Sequence, residues 1–250
     1  MKGFSAYQRN SQFRSKNLGT ISSLNEYIAF RAEHGIDDRS YKDLYLGDYF
    51  TIQDGTYNVQ WMVAHFNYYQ RKGDTDNASG VVLIPRVSCG ESKMNNVTPS
   101  TTAGGYVSSI ANTTTCPAIA TALQNVLGSY LLTTKLHMST NVNTNYASMA
   151  GVNWTGGSSS WAWTATQCSL PNEVQIFGTT IASSSLYDIG EANEKLAVFN
   201  FINHVEYTRS SFWLRSVASS AYFVYATNNG YVSATNSTAT HPLRPLIYIG

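Results

Sequence analysis

The side chains able to act as acids, bases or nucleophiles are scattered along this chain rather than grouped in a catalytic pattern. No two of the five histidines stand three or four residues apart, and Gly-x-Ser-x-Gly, His-Glu-x-x-His, Gly-x-Gly-x-x-Gly and phosphate-loop motifs are absent. Asp188, Glu191 and Glu194 are clustered, and two apposed carboxylates would suit a glycosidase, but acids are also expected in the first turn of a helix. Asp74 and Asp76 are more typical of a solvated loop than of a calcium loop. We therefore expect neither enzymatic activity nor a metal site.

The three cysteines, Cys89, Cys116 and Cys168, are odd in number and far apart in the sequence. This pattern favours reduced, buried side chains over a metal site, whose ligands are usually closely spaced. No apolar segment typical of a secretory signal follows the N-terminus. We therefore expect synthesis in a reducing cytoplasm and no bound cofactor.

Charged residues make up only 12% of the 250 residues, and the formal net charge is +1, whereas soluble domains typically contain about 25% charged residues. A near-neutral chain lacks the excess of Lys and Arg with which proteins bind nucleic acids or anionic membranes. The longest apolar run, at residues 81–85, is much shorter than the ~20 residues that span a bilayer. We expect no nucleic-acid partner and no membrane insertion.

The few charges are also unevenly distributed. Lys135 is the only charged residue among the 76 residues from 97 to 172, of which 31 are Ser, Thr or Asn, and no charge lies between Arg215 and Arg244. Surfaces of hydroxyls, amides and aromatic rings are typical of contact surfaces such as antibody loops. Segments of this kind would also suit the space between subunits of an assembly, and the composition leaves both alternatives open.

The first forty residues differ from the rest and contain six of the sixteen Lys and Arg. Ser23 and Glu26 match a capping box, and the apolar spacing predicts a helix over residues 22–34 that ends at Gly35. We interpret residues 1–40 as a docking or oligomerisation arm, mobile until a partner buries its aromatic side chains. The alternative is that the helix packs on its own domain. The aromatic side chains concerned are Phe4, Tyr7, Phe13, Tyr27 and Phe30.

From Leu44 onward the apolar residues alternate with a period of two, which is typical of strands. His65 continues the alternation of Trp61 and Val63, which predicts a hydrogen-bonded position in the core. The predicted elements are strands over residues 44–52, 59–63 and 80–87, the last of them central, and a hairpin turn at Asp54-Gly55.

The middle of the chain carries one strong helical signal. Thr115 is placed as N-cap, Pro117 falls in the first turn, and apolar residues recur at helical spacing up to Gly128. Trp161 and Trp163 lie on one side of a short alternating segment. The other predicted elements are short helices over residues 105–112 and 191–201 and a long surface loop over residues 141–160.

The last forty residues alternate between short apolar runs and turn residues. Asn228-Asn229-Gly230 predicts a turn that needs a positive φ angle. With helices in the middle and strands at both ends, the chain is predicted to be α+β, with two or three helices and short mixed or antiparallel strands. Strands from the two ends of the chain would then belong to one sheet. The C-terminal strands are predicted over residues 212–216, 221–226, 231–235 and 243–249.

The C-terminal segment resembles a signature of a phage and prophage structural-protein family. The residues that carry this resemblance are Phe212-Trp213-Leu214-Arg215-Ser216, Ala221 to Val224, Gly230-Tyr231-Val232 and Arg244-Pro245-Leu246-Ile247-Tyr248-Ile249-Gly250, preceded by Lys16 to Gly19, Asp43 to Tyr49, Gly105 to Ser109 and Asn172 to Gly178. The resemblance covers most of the chain, from about Lys16 to Gly250, and it depends on the order of these short motifs.

The same ending is similar to the close of a C-type-lectin-like fold used by variable proteins of diversity-generating retroelements. The resemblance implies a ligand-binding domain over residues 41–250 that displays diversified residues on a fixed scaffold. Lectin-type cysteine pairs and a Glu-Pro-Asn calcium motif are absent, so the resemblance does not extend to calcium-dependent sugar binding. Adenine-directed mutation of Asn codons cannot yield Lys, Glu, Gln, Met or Trp, and residues 216–240 contain none of these. Such a run is also ordinary for a neutral β surface.

These observations lead to the hypothesis of a non-enzymatic virion surface protein, made in the bacterial cytoplasm and assembled on the tail or head of a virion. It would bind a host-cell surface protein or glycan and contact other virion proteins, and we expect a homo-oligomer. The alternative is a structural assembly protein, such as a head decoration or tail subunit, with its neutral faces buried between copies. The expected scaffold residues are Trp213, Arg215, Gly230, Arg244 and Pro245. The expected exposed ligand-binding face consists of Ser219, Ser220, Tyr222, Tyr225, Asn228, Asn229, Tyr231, Ser233, Thr235, Asn236, Ser237 and Thr238.

Overall fold

The computed structural model describes residues 9–70, 79–143, 157–183, 194–204 and 209–250. These residues form a mixed α+β fold, as the sequence predicts. The helices are α1 (Leu24–His34), α2 (Cys116–Leu127) and α3 (Glu173–Phe177). The strands are β1 (Asn17–Ile21), β2 (Tyr49–Ile52), β3 (Val59–Phe66), β4 (Val81–Pro85), β5 (Glu91–Ser92), β6 (Thr134–Asn143), β7 (Gly157–Thr166), β8 (Cys168–Ser169), β9 (Phe212–Val217), β10 (Tyr222–Ala226), β11 (Val232–Asn236), β12 (His241–Pro242) and β13 (Leu246–Ile249).

The main layer is a six-stranded sheet in the order β1-β2-β3-β4-β13-β8. Strands β1 and β2 are parallel, and the other neighbours are antiparallel. The C-terminal strand β13 pairs with β4, so strands from both ends of the chain pair with each other in one sheet, as predicted. Among the described residues, no helix combines the length and the apolar character that crossing a membrane requires.

Helix α1 has the ends that its sequence predicts. The Ser23 side chain accepts a hydrogen bond from the Glu26 N–H, and Gly35 ends the helix in the left-handed conformation, with φ +64°. The Glu26 carboxylate accepts from the N–H and the hydroxyl of Ser22 instead of completing the box on Ser23. This arrangement satisfies free N–H groups at the helix start, which stabilises it.

The described part of the predicted arm belongs to the same core as the rest of the chain. Strand β1 pairs with β2, and Tyr27 and Phe30 are buried in the core. The Asn10 side chain bonds both the N–H and the carbonyl of Phe66. The interpretation of residues 1–40 as a separate, mobile arm is therefore wrong from residue 9 onward, and the helix packs on its own domain. Phe4 and Tyr7 lie outside the described residues.

The predicted hairpin is confirmed between β2 and β3. These strands pair from Tyr49 opposite Met62 to Ile52 opposite Val59. At the turn, the Asp54 carboxylate accepts the N–H groups of the two residues after Gly55, each at 2.7 Å. Strand β4 is fully buried between β3 and β13, which confirms its predicted central place.

Helix α2 is confirmed, but its start differs from the prediction. A π-helical turn, Ala111–Thr115, leads directly into it, and Thr115 has helical dihedral angles and caps nothing with its side chain. Thr115 is therefore not the N-cap, because the preceding turn already satisfies the amides of this region: the Cys116 N–H donates to the Ala111 carbonyl. The predicted helix over residues 105–112 is a series of turns that becomes helical only at its end.

Two predictions for the second half of the chain are wrong in part. The loop expected over residues 141–160 contains the ends of β6 and β7, which form a hairpin; residues 144–156 lie outside the described residues. Of the helix expected over residues 191–201, the described residues 194–201 show only the 3-10 turn Ala197–Asn200. Its first amides are drawn into tertiary contacts, since the Leu196 N–H donates to the Gln175 carbonyl and the Ala197 N–H to His65 Nδ1.

The C-terminal strands form a second, three-stranded sheet in the order β11-β10-β9. The predicted strands are confirmed to within a few residues, with the last shortened to β13, which leaves this sheet and joins the main one. Strand β12 pairs with β5 beneath the second sheet's aromatic side chains. The segment from β9 to β13 thus links the second sheet to the main sheet.

Candidate ligand-binding surface

Trp213, in β9, anchors the C-terminal sheet to the core. Its ring is fully buried, and its Nε1–H donates to the Ser92 carbonyl in β5 at 2.9 Å. The ring also makes edge-on contacts with Tyr225 and with His241. The expected core position of this ring is confirmed.

Arg244, which precedes β13, connects the segment before the C-terminal sheet to the main sheet. Its guanidinium is buried and donates from Nε to the Pro85 carbonyl at 2.8 Å and from Nη1 to the His204 carbonyl at 2.5 Å. Burial lowers the pKa of this guanidinium to about 9, so it remains protonated at neutral pH. The predicted pairing of a buried guanidinium with backbone carbonyls is confirmed for Arg244, whose neighbour Pro245 is also buried.

Arg215 is likewise completely buried, and its backbone N–H donates to the Pro171 carbonyl at 2.9 Å. Its expected scaffold position is therefore confirmed, while the pairing of its guanidinium with carbonyls stays a prediction. The burial of Arg215 and Arg244 has one consequence for the surface: both charges that bound residues 216–243 are withdrawn from solvent.

The turn between β10 and β11 has the geometry that its sequence predicts. Gly230 adopts φ +89°, in the left-handed region. Its N–H donates to the Thr227 carbonyl, and Thr227 in turn donates to the carbonyl of Tyr231. The Asn228 N–H donates to the Ser211 hydroxyl, which fixes the turn on the start of β9.

Most of the predicted binding residues reach the surface to some degree. Tyr231 is 70% exposed. The fully exposed side chains between Arg215 and Arg244, which we call the display surface, are Ser220, Asn228, Asn229, Tyr231, Asn236 and Thr240. Thr240 is the one that the sequence prediction missed. The half-buried members of the prediction are Tyr222, Tyr225, Ser233, Thr235 and Thr238.

Ser219 and Ser237 are buried, so their placement on an exposed face is wrong. Both hold turns together rather than face solvent. The Ser219 hydroxyl accepts the N–H groups of Ala221 and Tyr222, and its carbonyl accepts the Thr102 hydroxyl. The Ser237 carbonyl accepts two N–H groups from residues 94–95, so this neighbouring segment covers it.

The predicted tyrosine anchors do not share one face of the sheet. The pairing of β10 with β11 places Tyr222 opposite Asn236 and Tyr225 opposite Ser233 without an irregularity. Residues three apart in such a strand point to opposite faces. Tyr225 stacks on the His241 ring with a centroid distance of 4.6 Å, so its ring packs within the fold. Tyr231 is exposed and can therefore contact a ligand.

The display surface carries no formal charge. Residues 216–243 contain no Lys, Arg, Asp or Glu, and His241 is half-buried with its pKa lowered by burial, which keeps it neutral at pH 7. Its exposed side chains offer only hydroxyl and amide groups and one aromatic ring. This composition is typical of surfaces that bind by adaptable hydrogen bonds around an aromatic anchor.

Several of the side chains suited to chemistry are buried and take part in the packing of the fold. His65 is buried, and its Nδ1 accepts the Ala197 N–H at 3.0 Å, which confirms the predicted core position. The three cysteines are reduced and buried, as predicted, and burial raises the pKa values of Cys89 and Cys168. Over the described ranges, no three His, Cys, Asp or Glu side chains are placed to hold a metal ion. The acidic residues Asp74, Asp76, Asp188 and Glu191 lie outside the described residues.

Sequence reasoning missed a buried carboxylate next to the C-terminal sheet. Glu173, in α3, is fully buried and accepts the N–H groups of Ile181, Ala182 and Ser183 and the Ser183 hydroxyl. Burial nevertheless raises the pKa of this carboxyl. The Glu173 N–H donates to the Ser216 hydroxyl at 3.1 Å, so the carboxylate is part of the scaffold at the end of β9.

Comparison of the chain with protein-family models, with curated proteins and with solved structures finds no match in any of the three. Any assignment of a fold family or a function therefore rests on the residues and contacts described above.

Proposed function

We propose that this chain is a virion surface protein that binds a host-cell receptor, a surface protein or a glycan, through the display surface of its C-terminal sheet. The observation that carries the proposal is the division of residues 212–245 into two sets. One set is buried and bonded to main-chain atoms of distant strands, and the other has exposed and neutral side chains. Such a division is expected of a recognition module whose surface varies while its fold stays fixed.

The proposal includes a C-type-lectin-like fold of the kind used by variable proteins of diversity-generating retroelements. Support comes from the order of the motifs in the sequence and from the burial of Trp213, Arg215 and Arg244, which the resemblance designates as scaffold. The protein would be made in the bacterial cytoplasm, assembled on the tail or head surface and contact other virion proteins. It would act without enzymatic activity and without a cofactor.

Binding of the purified protein to intact cells and surface fractions from a panel of bacterial strains tests the proposal. The informative variant replaces Asn228, Asn229 and Tyr231 by Ala, because these side chains are exposed and their loss leaves the core contacts intact. An aromatic anchor of about 2 kcal/mol corresponds to a loss of roughly 30-fold in affinity. Tyr222 and Tyr225 are less suitable targets, because both pack against the core and their removal would change stability.

Val97→Ala is the matched control, since Val97 is 55% exposed and lies outside the C-terminal segment. We expect the control to bind like the wild type and the triple variant to lose binding with an unchanged melting temperature. If the triple variant binds every positive strain as well as the wild type does, the display surface is not the receptor-binding site.

A second candidate function is that of a structural assembly protein with faces buried between copies. The observation in its favour is the exposure of Leu24 and Ile28, which are 39% and 42% exposed one turn apart on α1. Sizing in solution together with limited proteolysis distinguishes the two functions. A monomer whose neutral segments are open to protease contradicts the assembly function, and a stable oligomer that protects them supports it.

A further inference from the structure

Strand β11 is an edge strand whose outer side pairs with no other strand in the described part of the chain. Its hydrogen-bond pattern is fixed at both ends: the Ser237 N–H donates to the Ala221 carbonyl at 2.9 Å and the Thr227 N–H to the Tyr231 carbonyl at 2.8 Å. In an antiparallel pair, successive residues face the partner strand and the free edge alternately. The peptide groups of Val232, Ala234 and Asn236 therefore point away from β10.

This edge lacks the features with which proteins usually block edge-to-edge pairing. Such features are Lys or other charged side chains, proline, and bulges that twist the edge away. Residues 231–240 contain neither charge nor proline. The ladder from Tyr222 opposite Asn236 to Ala226 opposite Val232 runs without a bulge. The backbone of β11 thus presents a regular row of donors and acceptors toward the free edge, in which the Asn236 carbonyl also accepts the Ala239 N–H at 2.9 Å.

We propose that β11 pairs antiparallel with β11 of a second copy of this chain, about a two-fold axis at Ala234. The edge is self-complementary in this register, because Val232 of one copy meets Asn236 of the other and Ala234 meets Ala234. Like charges opposite one another oppose such pairing, and the strand carries none. The smallest side chain of β11 falls at the axis, so the side chains of the central pair do not obstruct one another. The two three-stranded sheets then become one sheet of six strands.

The pairing uses the backbone edge of β11 and leaves the exposed turn at residues 228–231 uncovered. Gly230 lies four residues from Ala234, so at about 3.4 Å per residue the two display turns would stand roughly 27 Å apart. The dimer would therefore present two display surfaces to one target, which raises avidity without a new contact. The pairing itself does not depend on the proposed receptor-binding function.

Light scattering coupled to size exclusion, over a dilution series of the full chain, tests the pairing. Ala234→Pro removes the outward N–H at the axis while leaving the bonds from β11 to β10 in place, and proline is tolerated on such an edge. Ala234→Ser keeps that N–H and is the matched control. We expect dimers for the wild type and for Ala234→Ser, and monomers for Ala234→Pro with an unchanged circular dichroism spectrum.

Amide hydrogen exchange of the wild type gives a second measurement that needs no variant. The Val232 and Ala234 amides should be protected at high protein concentration and should exchange faster on dilution, while the Ser233 amide, bonded to β10, should not change. A wild-type chain that is monomeric throughout the series would overturn the proposal, and so would a dimer that persists in folded Ala234→Pro. If Ala234→Pro does not fold, concentration-independent exchange of the Val232 and Ala234 amides would overturn it.

Discussion

Replacing Asp48 by Asn tests whether the contacts between the N-terminal segment and the rest of the domain contribute to the free energy of unfolding. Asp48 is completely buried, and each of its carboxylate oxygens accepts from the Arg14 guanidinium and from one main-chain N–H, that of Lys16 or that of Tyr45. An amide of the same shape keeps only one oxygen. Its NH₂ group must then face either the Lys16 N–H or the Tyr45 N–H, and the partly exposed Arg14 keeps only the exposed Asp43 as an ion-pair partner.

The expected cost follows from the bonds that are lost. Two hydrogen bonds to a charged acceptor contribute about 1.5–3 kcal/mol each, and breaking a buried ion pair typically costs about 3–5 kcal/mol. We therefore expect Asp48→Asn to lower the free energy of unfolding by about 3–5 kcal/mol. At about 2–4 °C per kcal/mol for a chain of this size, the melting temperature should fall by roughly 6–20 °C.

Urea unfolding of the wild type, Asp48→Asn, Arg14→Met and the double variant measures both the loss and the coupling between the two side chains. The double variant should be less destabilised than the sum of the single ones, because each single change already breaks the same pair. Asp37→Asn is the control, since Asp37 is exposed in the same region and should change stability by at most about 0.5 kcal/mol. A loss below about 1 kcal/mol for Asp48→Asn would refute the assignment of Arg14 to the core.

Two further predictions concern the C-terminal scaffold. Burial raises the folded-state pKa of Glu173, so its contribution to stability is fully present below the unfolded-state pKa and is lost as pH rises through the folded-state pKa. The stability difference between wild type and Glu173→Gln should therefore shrink as pH rises above the ordinary pKa of a glutamate, and urea titrations that show a constant or growing difference would contradict this. Gly230→Ala should cost about 1–2 kcal/mol in thermal or urea unfolding, because φ is +89° and the added Cβ would lie 3.2 Å from the Asn203 side chain. Asn229→Ala, beside it and exposed, should be nearly neutral, and equal costs for the two would argue against backbone strain.

The elements that the sequence predicts well are those whose signals are local. The cap at Ser23, the stop at Gly35 and the carboxylate turn at Asp54 each depend on residues within four positions, and all three are present. The C-terminal turn is similarly local, since a positive φ at Gly230 follows from its neighbours. Burial of Trp213 and Arg244 was predictable only through the resemblance.

The sequence-based predictions that are wrong fail because of contacts between residues that are far apart in the chain. The first forty residues look separate by composition, yet their place in the core is set by contacts such as Arg14 with Asp48, 34 residues apart. The expected helix near residue 197 is shortened because the Ala197 N–H bonds a histidine 132 residues away. Ser219 and Ser237 have the composition of surface residues, but the segment around residues 94–102 covers them, and no periodicity signals such a cover.

Several of the scaffold bonds around the C-terminal sheet join a side chain to main-chain atoms. Arg244 donates to the carbonyls of Pro85 and His204, Trp213 donates to that of Ser92, and Glu173 accepts amide N–H groups. A main-chain acceptor is present whatever side chain its residue carries, so these bonds survive substitution at the receiving positions. The residues that supply these main-chain acceptors can therefore be substituted without loss of the hydrogen bonds. The side chains of Asn228, Asn229 and Tyr231 take no part in these bonds, so a combinatorial library randomised at these three positions should yield a high fraction of folded members.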